Sequence, residues 1–238
     1  MSLLKGMTAI VLLTGAASLQ AADIDFNYVD VNVGIFDLDF DQTVSSGGDT
    51  ISLQTDDDAS FYASGAWQPF EGSVGWFTRV HVFAAAGISE NDLEGSITSG
   101  TVTTSGSGSL DIIQARVGVG YSQPLFNDFN LYGRVTWDYF EFKDADIGIV
   151  DFDDVDESGV GGEAGARWLI RERFELQGYV RYSDNGKIEE LTFDNIELDD
   201  DIIGGVAGRW YFTDRFALQI NGEFGESTTY GAGLRFAF

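Results

Sequence analysis

The chain has 238 residues, of which 44% are hydrophobic, and this length allows one large domain or two small ones. Its formal net charge of −26 argues against nucleic acid as a partner, because a phosphate backbone would be repelled, and the absence of cysteine fits an oxidising compartment without establishing one. Thirty glycines, 14% aromatic residues and only two prolines favour many β-strands over helices.

The first 22 residues predict a cleavable secretory signal peptide. A basic start at Lys5 precedes a mostly apolar run from Gly6 to Gly15, which is followed by a stretch rich in small residues. Because the apolar run is shorter than the ~20 residues that a spanning helix needs, a signal peptide is favoured over a membrane anchor or a buried helix. Cleavage is expected after Ala21 or Ala22, which leaves residues 23–238 as one domain.

Beyond residue 23, apolar residues recur with a period of two, which is the pattern of β-strands with one apolar face. In the segment 74–84, for example, Val80 and Val82 share a face opposite His81. The pattern predicts ten strands, near residues 26–40, 59–67, 74–84, 113–121, 129–139, 160–168, 174–182, 206–210, 216–224 and 230–238. The first segment is the least regular, since its apolar parity changes near residues 35–36, and this change predicts a β-bulge.

A sequence repeat marks two hairpins at one end of these strands. Residues 166–177 and 208–219 both contain Arg-Trp followed by Arg-Phe and Leu-Gln, 42 positions apart. In each copy the Trp ends one apolar strand face and the Phe begins the next, after a short polar turn. Aromatic residues at one level on successive strands are typical of the girdle where a membrane protein meets the lipid–water interface.

The connections between the predicted strands alternate in length. Short turns are predicted near 68–73, 123–128, 170–173, 213–215 and 225–228, and long loops near 41–58, 89–108, 144–157 and 184–200. Both prolines, Pro69 and Pro124, fall in short turns, where no ladder hydrogen bond is lost. Short turns at one rim and long loops at the other are typical of the periplasmic and extracellular ends of a bacterial barrel. The Ser/Thr/Gly-rich run at 95–109 is predicted to be a flexible loop.

The long loops and their margins carry most of the negative charge, with 25 of the 39 acidic residues. Clustered carboxylates suit hard cations such as Ca²⁺ or Mg²⁺, so the candidate cation contacts are Asp37, Asp39, Asp41, Asp151, Asp153, Asp154 and Asp156. No cluster has the full spacing of a calcium loop, and a solvated acidic rim is the favoured interpretation. No other cofactor is predicted.

The polar strand faces carry seven of the 13 basic residues, and none lies on an apolar strand face. If the apolar faces met lipid, the polar faces would line a lumen in which arginines bridge carboxylates on neighbouring strands. The predicted lumen network comprises Arg79, His81, Arg116, Arg134, Asp138, Glu163, Arg167, Glu175, Arg181, Arg209, Glu223 and Arg235. A soluble β-sandwich with a solvent-exposed polar face is the alternative, because alternation alone does not separate the two.

The C-terminal residues 230–238 form an alternating apolar segment that ends in Phe236, Ala237 and Phe238. This segment resembles the final strand of Gram-negative outer-membrane proteins, and the repeated Arg-Trp, turn, Arg-Phe pattern is similar to that of the small outer-membrane β-barrel and porin-like families. The resemblance implies export to the bacterial outer membrane, with Phe236 and Phe238 as the assembly signal read by the barrel-assembly machinery. It also implies outer-membrane lipid and lipopolysaccharide as partners of a monomer.

Together, these features predict an all-β fold, an antiparallel up-and-down transmembrane β-barrel of ten strands, with eight strands as the alternative. The families it resembles include porins, adhesins, lipid enzymes and structural barrels, so three functional hypotheses remain. They are a narrow passive channel or largely plugged structural barrel, a surface-binding module for divalent cations or adhesion, and a lipid-active enzyme using His81. A lone histidine does not define a catalytic triad, so no catalytic residue is predicted and the protein is expected not to be an enzyme.

Overall fold

The structure, a computed structural model, describes residues 26–38, 41–46, 49–56, 58–69, 79–126, 128–143, 145–146, 151–152, 155–184, 202–225 and 227–238. The predicted signal peptide at 1–22 and residues 74–78 of the third predicted strand lie outside the described residues.

The described chain is built from antiparallel β-strands. They are β1 (Tyr28–Leu38), β2 (Asp41–Ser46), β3 (Asp49–Asp56), β4 (Asp58–Trp67), β5 (Val80–Ser99), β6 (Val102–Phe126), β7 (Phe129–Lys143), β8 (Ala145–Asp146), β9 (Asp151–Phe152), β10 (Val155–Ile170), β11 (Phe174–Ser183), β12 (Ile202–Tyr211), β13 (Phe216–Phe224) and β14 (Ser227–Ala237). The described residues contain no helix that is long and apolar enough to cross a membrane.

Ten of these strands close into a barrel, as the alternation predicted. Each pairs with its neighbours in the order β1, β4, β5, β6, β7, β10, β11, β12, β13 and β14, and β14 then pairs with β1. The topology is therefore up-and-down, and closure removes the unpaired edges that an open sheet would expose. Residues 26 and 238 lie at the same end as the turns 171–173 and 212–215; we call this the short-turn end.

The apolar strand faces form the outer wall and the polar faces point inward. Val135 and Ile220 on the wall are 66% and 68% exposed, whereas Arg235 and Glu175 inside the barrel are 1% exposed. Exposed aliphatic residues around buried charges are what a barrel surrounded by lipid requires. The two repeats form the predicted hairpins, because Trp168 precedes the turn between β10 and β11 and Trp210 precedes the turn between β12 and β13.

The prediction of a flexible loop at 95–109 is wrong. β5 continues to Ser99 and β6 begins at Val102, so this run forms a two-residue hairpin whose turn uses Gly100 with a positive φ of 62°. β2 and β3 similarly occupy most of the predicted loop 41–58. With the ends of β5 and β6 they form a four-stranded sheet in the order β2, β3, β5, β6, which extends the wall beyond the barrel; we call it the projecting sheet.

Hydroxyl side chains cover one face of the projecting sheet. Two complete rows of directly paired residues cross its four strands, Thr43–Ser52–Ser96–Ser105 and Ser45–Thr50–Thr98–Thr103. Cross-strand hydrogen bonds join Thr43 to Ser52 at 3.2 Å, Ser45 to Thr50 at 3.1 Å and Thr98 to Thr103 at 3.0 Å. The strands pair regularly because Ser and Thr hydroxyls can bridge neighbouring positions on one face of a sheet.

The predicted bulge near residues 35–36 is also wrong. β1 pairs with β14 and β4 in continuous register, with Ile35 on the outer wall and Phe36 buried on the inner side. The parity change therefore reflects an aromatic residue at an inward position. The described ladders have a register shift elsewhere, between Pro124 and Phe126 beside the turn from β6 to β7.

Candidate functional site: a filled lumen

The inner side of the barrel holds eleven of the twelve residues of the predicted lumen network. Arg79 instead lies just before β5 and donates from Nη1 to Gln123 Oε1 at 2.5 Å, and Gln123 pairs directly with Leu131 of the outer wall. Of the eleven, nine are buried, and Arg116 and Glu223 are half-buried. Asp30, which also occupies an inward position of β1, joins them with an exposed fraction of 3%. An unpaired buried charge costs free energy, so these groups need ion-pair or hydrogen-bond partners inside the barrel. Their contacts show how far the lumen is filled.

Glu175 is the hub of a charge cluster at the short-turn end. Arg167 donates to both carboxylate oxygens, from Nε to Oε1 at 2.9 Å and from Nη2 to Oε2 at 3.0 Å. Arg209 Nη1 donates to Oε1 at 2.6 Å and the Tyr211 hydroxyl donates to Oε2 at 2.9 Å. Arg235 Nη1 approaches Oε1 at 3.5 Å. One carboxylate thus joins three guanidinium groups from three strands.

Arg235 links this hub to the opposite side of the barrel. It donates to Asp30 through both Nε and Nη2, at 2.7 and 2.6 Å, in the forked geometry that favours arginine over lysine. Its guanidinium carbon also lies 3.6 Å from the centroid of the Tyr28 ring. The cluster therefore spans the lumen from β11 to β1.

An arginine–aromatic layer lies against this cluster. Arg134 donates from Nε to His81 Nε2 at 3.1 Å, from Nη1 to Glu163 at 3.3 Å and from Nη2 to the Tyr28 hydroxyl at 3.2 Å. Phe26 stacks on the His81 ring with centroids 4.1 Å apart and is fully buried. Guanidinium groups over aromatic faces gain cation–π stabilisation, so the layer excludes water while keeping its charges paired.

Phe26 enters the lumen from a segment that precedes the first strand. The next residue, Asn27, accepts a hydrogen bond from the Phe238 backbone at 3.1 Å and, through Oδ1, another from the Gln68 backbone at 2.8 Å. These bonds tie the start of the described chain to its end and to β4. The Arg167 guanidinium lies 4.7 Å from the Phe26 ring centroid, which places the ring between two arginines.

Two further ion pairs lie nearer the long-loop end. Arg116 Nε donates to Asp138 at 3.0 Å, and the Ser183 hydroxyl donates to the second oxygen of the same carboxylate at 2.8 Å. Arg181 pairs with Glu223 at 3.4 Å, and Glu223 also accepts a hydrogen bond from Tyr179.

A cavity of about 60 Å³ remains beside the pair of Arg181 and Glu223, lined also by Asn32, Tyr62, Gln114 and Asn221. Among the described residues, Arg181 Nε and Asn221 Oδ1 have no hydrogen-bond partner in this region. The space suits a few water molecules bound to these atoms.

Glycines make room for the large inward side chains. A Cβ atom at Gly205 would lie 2.1 Å from Tyr179 Cζ, and one at Gly165 would lie 2.7 Å from the Tyr132 ring. The lumen is thus packed by aromatic residues laid over glycines as well as by ion pairs.

The sequence prediction missed the aromatic part of this site. Tyr28, Tyr132, Tyr179 and Tyr211 all occupy inward positions, and their alternation with outward residues could have placed them there. Phe26 had no such signal, because it precedes the first regular alternation.

His81 is packed inside the arginine–aromatic layer. It is fully buried between Phe26 and Arg134, and its Nε2 atom already accepts a hydrogen bond from Arg134. The other ring nitrogen, Nδ1, is buried and has no hydrogen-bond partner among the described residues. A general base must reach the proton that it abstracts, and here Arg134 occupies Nε2 while burial removes Nδ1 from solvent.

The candidate cation contacts are only partly described. Asp37 lies in β1 opposite Thr228, Asp156 is exposed in β10, and Asp41 and Asp151 begin β2 and β9. Asp39, Asp153 and Asp154 lie outside the described residues. Within the described ranges, no group of three His, Cys, Asp or Glu side chains could hold a metal ion.

The two terminal phenylalanines lie in the closing seam of the barrel. Phe236 pairs with Phe216 in β13 and with Val29 in β1, and its ring centroid lies 5.0 Å from that of Phe216. Phe238 follows β14 and is 54% exposed.

A closed ten-stranded antiparallel barrel with an apolar outer wall and a charged interior defines an integral outer-membrane barrel protein. Residues 8–209 match the family model of the outer membrane protein beta-barrel domain, and the chain belongs to this family. Its location is the bacterial outer membrane, and the short-turn end is the periplasmic end. No curated protein matches the chain in a sequence comparison.

Solved structures of other outer-membrane barrels are similar to this chain. The outer membrane protease OmpT of Escherichia coli is 10% identical with a TM-score of 0.51, over 94% of this chain and 99% of that one. OprG of Pseudomonas aeruginosa is 12% identical with a TM-score of 0.42, over 92% and 99%. The attachment invasion locus protein Ail of Yersinia pestis is 13% identical with a TM-score of 0.34, over 88% and 99%. At these identities the likeness concerns the fold alone.

Proposed function

We propose that this protein is a largely closed structural barrel of the outer membrane that passes small ions at most. The observation that supports this best is the filling of the periplasmic half of the lumen, where the Glu175 cluster and the layer of Arg134, His81 and Phe26 contact each other across the barrel. Both layers contain fully buried side chains, so little space remains for a hydrated solute.

The number of strands also supports a largely closed lumen. A barrel of about eight strands is just filled by its own side chains, whereas porins use about sixteen to eighteen strands for an aqueous channel. Ten strands leave a modest extra cross-section, and six arginines with their partners occupy it here. The cavity of about 60 Å³ beside Arg181 is too small for a sugar or an amino acid.

We favour a non-enzymatic role because the lumen histidine is used structurally. His81 serves as a hydrogen-bond acceptor for Arg134 and as a stacking partner for Phe26. Lipid on the outer wall cannot reach it through the strands. The third hypothesis, a lipid-active enzyme centred on His81, therefore has no support in the geometry.

Solute uptake into liposomes tests the closed lumen. Proteoliposomes with the unmodified protein should take up a small sugar no faster than protein-free liposomes. Phe26→Ala should admit ions or small solutes, because it removes the ring between Arg134 and Arg167. The control is Val135→Ala, which shortens a lipid-facing side chain and should leave uptake unchanged. Rapid sugar uptake by the unmodified protein would contradict the proposal.

The projecting sheet supports a second candidate function, binding at the cell surface. Its two rows of four hydroxyl side chains form a neutral array whose outer members on β2 and β6 are exposed and whose inner members on β3 and β5 are half-buried. Such an array suits a neutral hydroxyl-rich polymer such as a glycan, because each hydroxyl can donate and accept hydrogen bonds. Binding of whole cells to neutral polysaccharide should fall when Ser96, Thr98, Thr103 and Ser105 are replaced by Ala. Equal binding by the variant would remove this candidate.

Export and assembly complete the proposal. Residues 1–22 serve as a cleavable signal peptide, and Phe236 and Phe238 present the last strand to the assembly machinery before β14 pairs with β1. Sequencing the N-terminus of the protein isolated from membranes tests the cleavage, which should leave Ala22 or Asp23 as the first residue.

A further inference from the structure

A groove of about 590 Å³ crosses the outer wall of β10 to β14. Its floor follows one row of directly paired residues, from Ala166 to Gly178, Val206, Gly222 and Tyr230. Three of these five residues carry no side chain beyond a methyl group, so the wall is recessed along the row. The neighbouring row adds a further recess at Gly208, between Leu176 and Ile220.

The groove lies wholly within the lipid-facing band. Trp168 borders it near the periplasmic turns, and Phe224 and Tyr230 border it towards the extracellular ends of β13 and β14. These aromatic residues lie at opposite ends of the strands, where interfacial girdles are expected. The groove therefore spans the depth of the hydrocarbon region rather than opening to water.

Its chemistry restricts the occupant. The exposed lining is almost entirely apolar, so a polypeptide segment would leave its backbone groups without hydrogen-bond partners in lipid. A second barrel presents a convex wall, which would bridge the recess and leave a void without dispersion contacts. A flexible acyl chain can follow the recess and contact its floor along its length.

The charges at the two ends favour lipid of the periplasmic leaflet. The turn after Trp168 exposes Arg171 and Arg173, with Glu172 between them, and guanidinium groups bind phosphate in forked geometry. Between β11 and β12, whose neighbouring ends lie at the long-loop end, the sequence of residues 184–201 holds eight acidic residues and one lysine, a composition that disfavours the phosphates of lipid A at that end. The complementary partner is thus a phospholipid whose phosphate lies at the periplasmic end.

We infer that this groove binds one acyl chain of a periplasmic-leaflet phospholipid, with the lipid phosphate held at Arg171 and Arg173. The bound lipid fills the recess between Trp168 and Tyr230 and completes the outer wall. This site is independent of whether the lumen conducts.

Two glycines allow the groove to be filled without disturbing the fold. A Cβ atom at Gly178 would meet its nearest atom at 4.0 Å, and one at Gly208 would meet Ile220 at 3.7 Å, both ordinary contact distances. The variant Gly178→Leu/Gly208→Leu should therefore fold but exclude the chain. Gly133→Leu is the matched control, because Gly133 also faces lipid, its Cβ would lie 3.8 Å from the nearest atom, and it is outside the groove.

Native mass spectrometry of the purified protein with added phosphatidylglycerol tests the site. The unmodified protein and Gly133→Leu should retain one lipid, and the filled variant should bind it about tenfold more weakly, since losing contacts worth about two methylene groups costs that much affinity. Arg171→Gln/Arg173→Gln should lower affinity for phosphatidylglycerol while leaving the folded, heat-modifiable gel migration unchanged.

Three results would overturn the inference. They are equal lipid retention by the filled variant and the control, preferential retention of added lipid A, and a dimer that becomes monomeric when the groove is filled. The last result would identify the groove as an interface between copies of the chain.

Discussion

Removing the charge of Glu175 should destabilise the barrel more than any other single neutralisation of a lumen acid. Glu175 accepts hydrogen bonds from Arg167, Arg209 and Tyr211, and its side chain is only 2% exposed. In Glu175→Gln, one carboxylate oxygen becomes an NH₂ group that faces arginine donors, and buried guanidinium groups lose their counter-charge. Breaking a buried ion pair by removing one partner costs about 3–5 kcal/mol, and the three-arginine hub places the expected loss in this range.

Reversible urea unfolding of the protein in lipid vesicles, followed by tryptophan fluorescence and by heat-modifiable gel migration, measures this loss. The control is Glu172→Gln in the exposed turn between β10 and β11, which should change the free energy of unfolding by less than about 0.5 kcal/mol. A loss below about 1 kcal/mol for Glu175→Gln would mean that water already screens the cluster, and the description of a dry, filled periplasmic half would be wrong.

Three further predictions follow from the lumen and the closing seam. Gly205→Ala should destabilise the barrel by about 1–3 kcal/mol, because its Cβ would overlap the Tyr179 ring, whereas Gly133→Ala on the outer wall should not; urea unfolding of both variants checks this. Phe238→Ala should lower the fraction of protein that reaches the heat-modifiable, folded state in cells, and an unchanged fraction would exclude Phe238 as part of the assembly signal. His81→Ala should leave phospholipid and lipid A turnover in membranes unchanged, and a clear loss of turnover would revive the enzyme hypothesis.

The outer wall was predictable from the sequence because period-two alternation depends only on neighbouring residues. Val117, Val119 and Tyr121 lie outward on β6, and Arg116 lies inward, as the alternation predicts. The hairpins at Trp168 and Trp210 were predictable for the same reason. With lipid outside the barrel and charged residues inside it, the apolar face of each strand can only point outward.

The projecting sheet was not predictable in this way. Its strands alternate between hydroxyl residues, glycines and a few aliphatic residues, so the run at 95–109 has too little apolar contrast to mark a strand. The run folds on itself as the hairpin between β5 and β6, and its first half, 95–99, also pairs with β3, more than forty positions away in the sequence. Phe36 was misjudged for a related reason. The alternation rule places apolar residues on the outer face, but Phe36 is an apolar residue that points inward, so the sequence alone suggests a break in the strand.

The pairing inside the lumen depended on the stagger of the closed barrel. The sequence places seven arginines and five acids on inward positions, but it does not say which ones meet. Glu175 on β11 reaches Arg235 on β14, three strands away, because the strands tilt and the side chains cross the lumen. Phe26 contributes from outside any strand, so only the folded structure places it beside His81.

Single-channel recording in a planar bilayer tests the closed lumen most directly. The charges of the loops and of the lumen favour ions of opposite sign. The acidic residues in the loop sequences should attract cations at the mouth, whereas six arginines against five acids in the lumen should favour anions there. The unmodified protein should give at most low-conductance, weakly selective events, which should increase when Arg116, Arg134 or Arg167 is replaced by Ala. Large, stable, porin-like conductance from the unmodified protein would contradict a filled lumen and identify the protein as a diffusion channel.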